Sequence, residues 1–275
     1  MIEYINWNID NVIFHIGSFE LRYYSISWLL AFVLGFIIVR ESIRKDKLNP
    51  ELAYDLLWYV AIGTMLGARL GHCLFYDWDY FSHNILEIII PISFTSEGIK
   101  LHGYAGLASH GGAIGICIAL YLFKRKFKIG MLYLLDKIAL AAPVAGALIR
   151  IGNFFNSEII GAPSDMPWAV VFQAVDNVPR HPSQLYEAIS YLIIFCVLIF
   201  VNKQSHKYKN GLVFGTSVSL IFITRILIEF TKEVQVSFED GLREVIGLDM
   251  GQILSIPFIV LGLICVVRSL SVKKH

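Results

Sequence analysis

Seven stretches of this sequence come close to the roughly 20 consecutive apolar residues that a helix needs to cross a hydrocarbon core. They are Leu21–Val39, Ala53–Phe75, Ala105–Phe123, Met131–Ile151, Leu185–Val201, Leu212–Phe230 and Gln252–Val267. Apolar residues make up 56% of the chain and charged ones 16%, with a mean hydropathy of +0.62, which is unlike a water-soluble domain. The expected fold is an all-α polytopic membrane protein of seven transmembrane helices, one domain over residues 1–275. No internal repeat and no secretory leader are visible.

The placement of basic residues orients the spans better than the net charge of +1 does. Connections Arg40–Leu52, Lys124–Gly130 and Asn202–Gly211 and the tail from Arg268 hold fourteen Lys or Arg. The N-terminal segment through Arg22 and the other three connections hold five. The basic side faces the cytoplasm, so the N-terminus is expected outside and the C-terminus inside. The outer connections, about 76–104, 152–184 and 231–251, are long and carry Pro91, Pro163, Pro167, Pro179 and Pro182. Loops of this length in a compact protein tend to carry function, and a small outer cap is expected from them.

Gly63, Gly67 and Gly71 recur every fourth residue and offer a smooth helix face for a close neighbour. Pro143 and Pro257 interrupt two spans, which is tolerated where neighbours re-satisfy the backbone. Cys73, Cys117, Cys196 and Cys265 all lie in or beside spans and are read as packing residues.

Charge at bilayer depth is expensive, about 2.5–3.5 kcal/mol per residue on insertion scales, so polar residues inside the spans mark candidate function. Traced from their assigned sides, Arg69 with His72, Arg150, and Arg225 with Glu229 fall in the last turns before the outer surface. Tyr24, His110, Gln184 and Glu187 fall in the first turns below it. In the inner halves of the spans, Lys137 and Asp55 are the charged residues counted. Each polar residue alone has a bland reading: Arg225 and Glu229 as an i,i+4 ion pair, Arg69 as a snorkelling side chain. Together they suggest a layer for an anionic, phosphate-bearing ligand, because arginine forks bind phosphate in bidentate contact.

His110 stands in Ser109-His110-Gly111-Gly112. An imidazole exchanges protons near neutral pH, and the two glycines would let a ligand approach across bare backbone. No His, Cys, Asp or Glu spacing suggests a metal site.

The polar runs also carry a resemblance. Arg150-Ile-Gly-Asn-Phe-Phe-Asn-Ser-Glu-Ile-Ile-Gly161 resembles the signature of the bacterial phosphatidylglycerol–prolipoprotein diacylglyceryl transferase family. In order along nearly the whole chain, further segments are similar to the same family: Arg22-Tyr23-Tyr24, Gly67 to Gly71 with Leu74-Phe75-Tyr76, His110-Gly111-Gly112, His181 to Glu187, Arg225 with Glu229, and Met250 to Ser255. Three positions depart from the family pattern. Ile149 replaces a usual glycine, Ile221 a frequent tyrosine and Lys232 a frequent arginine. A lysine keeps the charge and loses the fork.

The resemblance implies transfer of a diacylglyceryl group from phosphatidylglycerol to the thiol of a lipobox cysteine, with release of glycerol phosphate, in the bacterial inner membrane. It implies His110 as the group that takes the thiol proton and Arg150 and Arg225 as partners of the lipid phosphate. Asn153, Asn156, Glu158, Gly161, Tyr24, Glu229, Gly111 and Gly112 are the expected binding residues. No cofactor is needed, since the lipid is already an activated donor, and no nucleic-acid partner is expected. Three other readings stay open on the residues alone, one of them a non-catalytic lipid-binding scaffold that would bind the headgroup without turnover. A transporter would continue its polar path to the cytoplasmic side. A serine hydrolase would use Ser109 or Ser183 with His110 or His181, although neither serine sits in a Gly-x-Ser-x-Gly elbow.

Overall fold

The structure is a computed structural model that describes residues 4–16, 19–89, 92–95, 98–101, 106, 108–232 and 248–271. The start of the expected third span at Ala105 and most of the expected 231–251 loop lie outside the described residues. Seven long helices are present among them. They are α1 (Tyr23–Lys45), α2 (Leu52–Phe75), α5 (Ser109–Phe127), α6 (Met131–Phe155), α7 (Ser183–Gln204), α8 (Leu212–Glu229) and α9 (Met250–Leu270), with α3 (Trp78–Phe81) and α4 (Leu86–Ile89) as single turns.

Five of the seven, α1, α6, α7, α8 and α9, are long and apolar enough to cross a membrane. Helix α5 carries Lys124, Arg125 and Lys126 in its last turn, and the run of α2 is diluted by Asp55, Arg69, His72 and its glycines. The outward faces are apolar: Leu254, Leu263, Ile264 and Val267 of α9 are each half or more exposed. Large apolar residues exposed along whole helices suit hydrocarbon rather than water.

An all-α expectation needs correction. Strand β1 (Ile5–Trp7) pairs in parallel with β6 (Val170–Phe172), which pairs antiparallel with β7 (Pro179–Arg180), while β2 (Val12–Ile16) with β3 (Phe19–Arg22) and β4 (Ile92–Thr95) with β5 (Gly98–Leu101) form hairpins. These strands are short, and β1 and β6 are far apart in sequence. No periodic run announces them.

Contacts divide the chain into two units, residues 1–42 with 135–275, and residues 43–134. In the smaller unit α2 and α5 lie backbone to backbone. A Cβ added at Gly67 would stand 2.8 Å from the Cα of Gly115, and one at Gly71 would stand 2.7 Å from the Cα of Gly111. Side-chain-free faces let helices approach this closely without a hydrophobic driving force. Arg69, buried in the same unit, donates to the carbonyls of Glu87 (2.7 Å) and Ile88 (3.2 Å) and lies over the Phe81 ring. It holds the chain that follows α2 rather than snorkelling.

The larger unit has an apolar core of Leu140, Ala147, Ala188, Tyr191, Ile194, Leu198 and Val213 from α6, α7 and α8, with Ile221 packed against it. Ile221 therefore serves the core where many family members carry tyrosine. Asp136, buried on α6, was missed among the inner-half charges. Its carboxylate accepts from the backbone N–H of Gly211 (2.7 Å) and Phe214 (2.8 Å), so it caps α8 from a neighbouring helix. Its neighbour Lys137 donates to Ser42 at 2.9 Å. Both charges are thereby engaged in structure. A carboxylate at a helix N-terminus satisfies orphan donors and the dipole together. Asp136→Ala should cost about 1–2 kcal/mol and Asp136→Asn less, because Asn remains a good cap. Thermal melts of the purified chain in detergent check the order of the two variants.

Candidate functional site

The run from Arg150 to Gly161 begins on the last turn and a half of α6 and continues as a loop. Its two phenylalanines anchor it. Phe154 packs on Trp7 (4.3 Å between rings) and on Phe172 (5.5 Å), and Phe155 stacks on Tyr23 at 4.4 Å, so β1, β6 and the start of α1 all fasten the end of α6. Gly152 leaves the space that Tyr24 and Ser27 of α1 fill. The Tyr24 ring thus lies on the same helical end as Arg150.

The polar residues of the run form a connected network. Arg150, with 18% of its side chain exposed, places Nε against the Glu187 carboxylate and donates from Nη1 to Asn153 Oδ1 at 3.3 Å. Asn153 donates to Glu158 Oε2 (3.1 Å) and Asn156 to Glu158 Oε1 (3.2 Å). Gln184 of α7 donates to the Glu158 carbonyl at 2.6 Å, and the Glu158 N–H donates to the Asn153 carbonyl at 2.9 Å. Beyond Glu158 the backbone of Ile159 takes φ 54°, a left-handed conformation that a β-branched residue resists. Strain of this kind costs on the order of 1–3 kcal/mol and persists where surrounding contacts over-determine it, characteristically at functional loops.

Glu187, at 1% exposure, is the hub. Its Oε2 meets Arg150 and its Oε1 lies 2.8 Å from Lys232 Nζ, which in turn lies 3.0 Å from Glu229 Oε2. Two cations and two carboxylates therefore alternate from α6 through α7 to the end of α8. Arg225 stands one helical turn before Glu229 on α8. Neither Glu187 nor Lys232 stood among the expected binding residues. An acidic residue at the buried start of α7 was the available signal for the first, and a lysine in place of a family arginine for the second.

Gly161 sits where its N–H donates to the His181 carbonyl at 3.0 Å. A Cβ there would overlap that carbonyl and lie 2.6 Å from Ser183 Oγ. Ser183 is buried and shares a hydrogen bond with Thr231 Oγ1 (3.0 Å), while His181 Nδ1 pairs with the Tyr186 hydroxyl (3.1 Å), to which Trp168 Nε1 donates at 2.7 Å. Ser183 and His181 are each bound elsewhere and do not form a nucleophile–base pair. Nearby, Arg180 holds the Asp176 carboxyl below the usual carboxylate range through hydrogen bonds of 2.6–3.3 Å.

The Met250 to Ser255 run is explained by structure. Asp249 and Gln252 form a reciprocal capping box, Gln252 Nε2 donates to the Ile226 carbonyl at 3.1 Å, and Gly251 leaves room for Glu229.

In the smaller unit His110 is exposed on the first turn of α5. Gly111 and Gly112 are buried. The approach expected across them does not exist at Gly111, whose bare face is filled by the backbone of Gly67 and Gly71, and Gly112 faces Ala68 and Thr64.

The family model described as prolipoprotein diacylglyceryl transferase matches residues 11–268. The chain belongs to the prolipoprotein diacylglyceryl transferase family. It is 43% identical over 261 residues to a phosphatidylglycerol–prolipoprotein diacylglyceryl transferase of Bacteroides fragilis, covering 94% of this chain and 93% of that one. It is 36% identical over 270 residues to the protein of that name from Tolumonas auensis, covering 98% and 99%, and 38% identical to that of Porphyromonas gingivalis, covering 97% and 95%. The match to the transferase family takes in the whole charge chain of the larger unit and His110 of the smaller.

Proposed function

We propose that this chain transfers the diacylglyceryl group of phosphatidylglycerol to the thiol of a prolipoprotein's lipobox cysteine, the first step of lipoprotein maturation. The reading extends to seven spans, with the N-terminus outside and the outer ends of the helices carrying the site. The observation that carries it is Arg150, partly exposed at the end of a membrane-spanning helix and held on one edge by Glu187 and on another by Asn153.

In this reaction the thiol gives up its proton, the thiolate attacks the glycerol carbon bound to phosphate, and the carbon–oxygen bond breaks. Its electron pair leaves with the phosphate oxygen. A thioether forms and glycerol phosphate departs, so charge builds on the phosphate as the transition state is reached. Fixed guanidinium donors aimed at that charge are worth most at that moment. Arg150 and Arg225 take this role, Arg150 from the end of α6 and Arg225 from near the end of α8. Asn153 and Glu158 orient Arg150, Asn156 holds Glu158, and Glu229 belongs to the same charge chain. Tyr24 is assigned to a lipid oxygen. His110 takes the thiol proton, since a free thiol has a pKa of about 8.5 and attacks as thiolate.

The test is a mass shift. Membranes containing the chain, given phosphatidylglycerol and a lipobox peptide, should add a diacylglyceryl mass to the cysteine, and phosphatidylethanolamine in its place should add none. His110→Gln should slow transfer by about 10²–10⁴-fold, the usual worth of a general base. Wild-type rates in His110→Gln would move the base to a water or to the peptide.

A further inference from the structure

We infer that Lys232 is a positioning residue for the phosphate-binding arginine, acting by occupying one oxygen of Glu187. The inference rests on the transferase reading above and extends it to a residue where this chain departs from the family pattern. Lys232 lies three residues past the end of α8, and its backbone bridges to Gly161, the last residue of the Arg150 run. It is only 8% exposed, and an ammonium so buried needs carboxylate partners. It has two, Glu187 Oε1 at 2.8 Å and Glu229 Oε2 at 3.0 Å.

The consequence lies in how Glu187 is divided. A carboxylate facing an arginine with both oxygens available adopts a two-bond fork that ties up two guanidinium donors. Here one oxygen belongs to Lys232, and Arg150 meets the other through Nε. The guanidinium is thereby oriented by one contact to Glu187 and one to Asn153 rather than by a two-bond fork, and its five donors leave capacity for an anion. Lysine suits the task. A compact ammonium with three rotatable donors serves two carboxylates at once, and the five donors of an arginine at this position could do the same. Charge balance argues the same way: removing Lys232 leaves Glu187 and Glu229 facing Arg150 with one compensating charge fewer.

Three variants test this in the purified protein: Lys232→Met, Lys232→Arg, and Lys232→Met combined with Glu187→Gln. Lys232→Met should lower kcat/KM for phosphatidylglycerol on the order of tenfold or more, in proportion to the broken buried charge pair. Lys232→Arg should stay within a few-fold of wild type. In the double variant the neutral amide at position 187 can no longer hold Arg150 as an ion pair, so at least tenfold of the lost activity should return. A latch that only ties α8 to the Gly161 loop predicts instead that the double variant is no better than Lys232→Met, and that result overturns the inference. So does wild-type activity in Lys232→Met. Phosphatidylglycerol binding, read by native mass spectrometry on the same proteins, should rank them alike. If the wild type binds this lipid yet transfers nothing, the transferase reading fails while the binding order still judges Lys232.

Discussion

Replacing Arg150 with lysine is expected to lower transfer by about 10²–10³-fold while changing the KM for phosphatidylglycerol much less. Positive charge survives this substitution, so simple attraction of an anionic lipid survives with it. What is lost is the fixed direction of that charge. Arg150 is held by Glu187 at Nε and by Asn153 at Nη1, and a compact ammonium lacks the planar spread of nitrogens that fixes the direction of those contacts and of the remaining donors. Donors preorganised on developing charge are each worth roughly that factor when removed. A defect made only in the transition state lowers kcat and kcat/KM together, whereas a lost ground-state contact raises KM alone. Steady-state rates over a range of phosphatidylglycerol in mixed micelles separate the two. Activity within a few-fold of wild type in Arg150→Lys would mean that this arginine supplies charge and not geometry.

The long helices were legible because hydropathy is a sum over many residues and survives local error. Each expected span overlaps a helix, and α2 and α8 end within one residue of expectation. Arg150 and Glu229 were legible as residue types because charge is costly at such depth, and Asn153 and Glu158 through the family resemblance of their run. Their connections were not. That Glu187 joins Arg150 to Lys232 depends on how α6, α7 and the end of α8 pack, and nothing local to Lys232 distinguishes it from a solvated lysine. Gly111 shows the reverse error. Beside a histidine it suggested room for a ligand, yet its spacing of four to Gly115 matches the stripe on α2, and the two stripes meet. The short strands escaped because two to five paired residues carry no readable period, and Asp136 escaped because its partners are backbone amides 75 and 78 positions away.

Gly161 separates a binding role from a packing role, and Gly161→Ala is expected to act through packing. The added methyl carbon would overlap the His181 carbonyl and stand 2.5 Å from the His181 Cβ and 2.6 Å from Ser183 Oγ. Two of those three neighbours are fixed by the main chain and its first side-chain atom, so no rotamer change relieves them. The loop must move. Moving it breaks the hydrogen bonds from Gly161 N–H to His181 and from His181 N–H to Ala162, and it pulls on the backbone bridge to Lys232. Overpacking of this kind costs typically 1–3 kcal/mol, with the broken hydrogen bonds adding about 1 kcal/mol each. The variant should therefore melt several degrees lower in detergent, be nicked faster by protease between residues 156 and 183, and lose most of its transfer activity through displacement of the Glu158 segment. If instead it melts and resists protease like the wild type but fails to bind phosphatidylglycerol, Gly161 serves the lipid directly and the packing account is wrong.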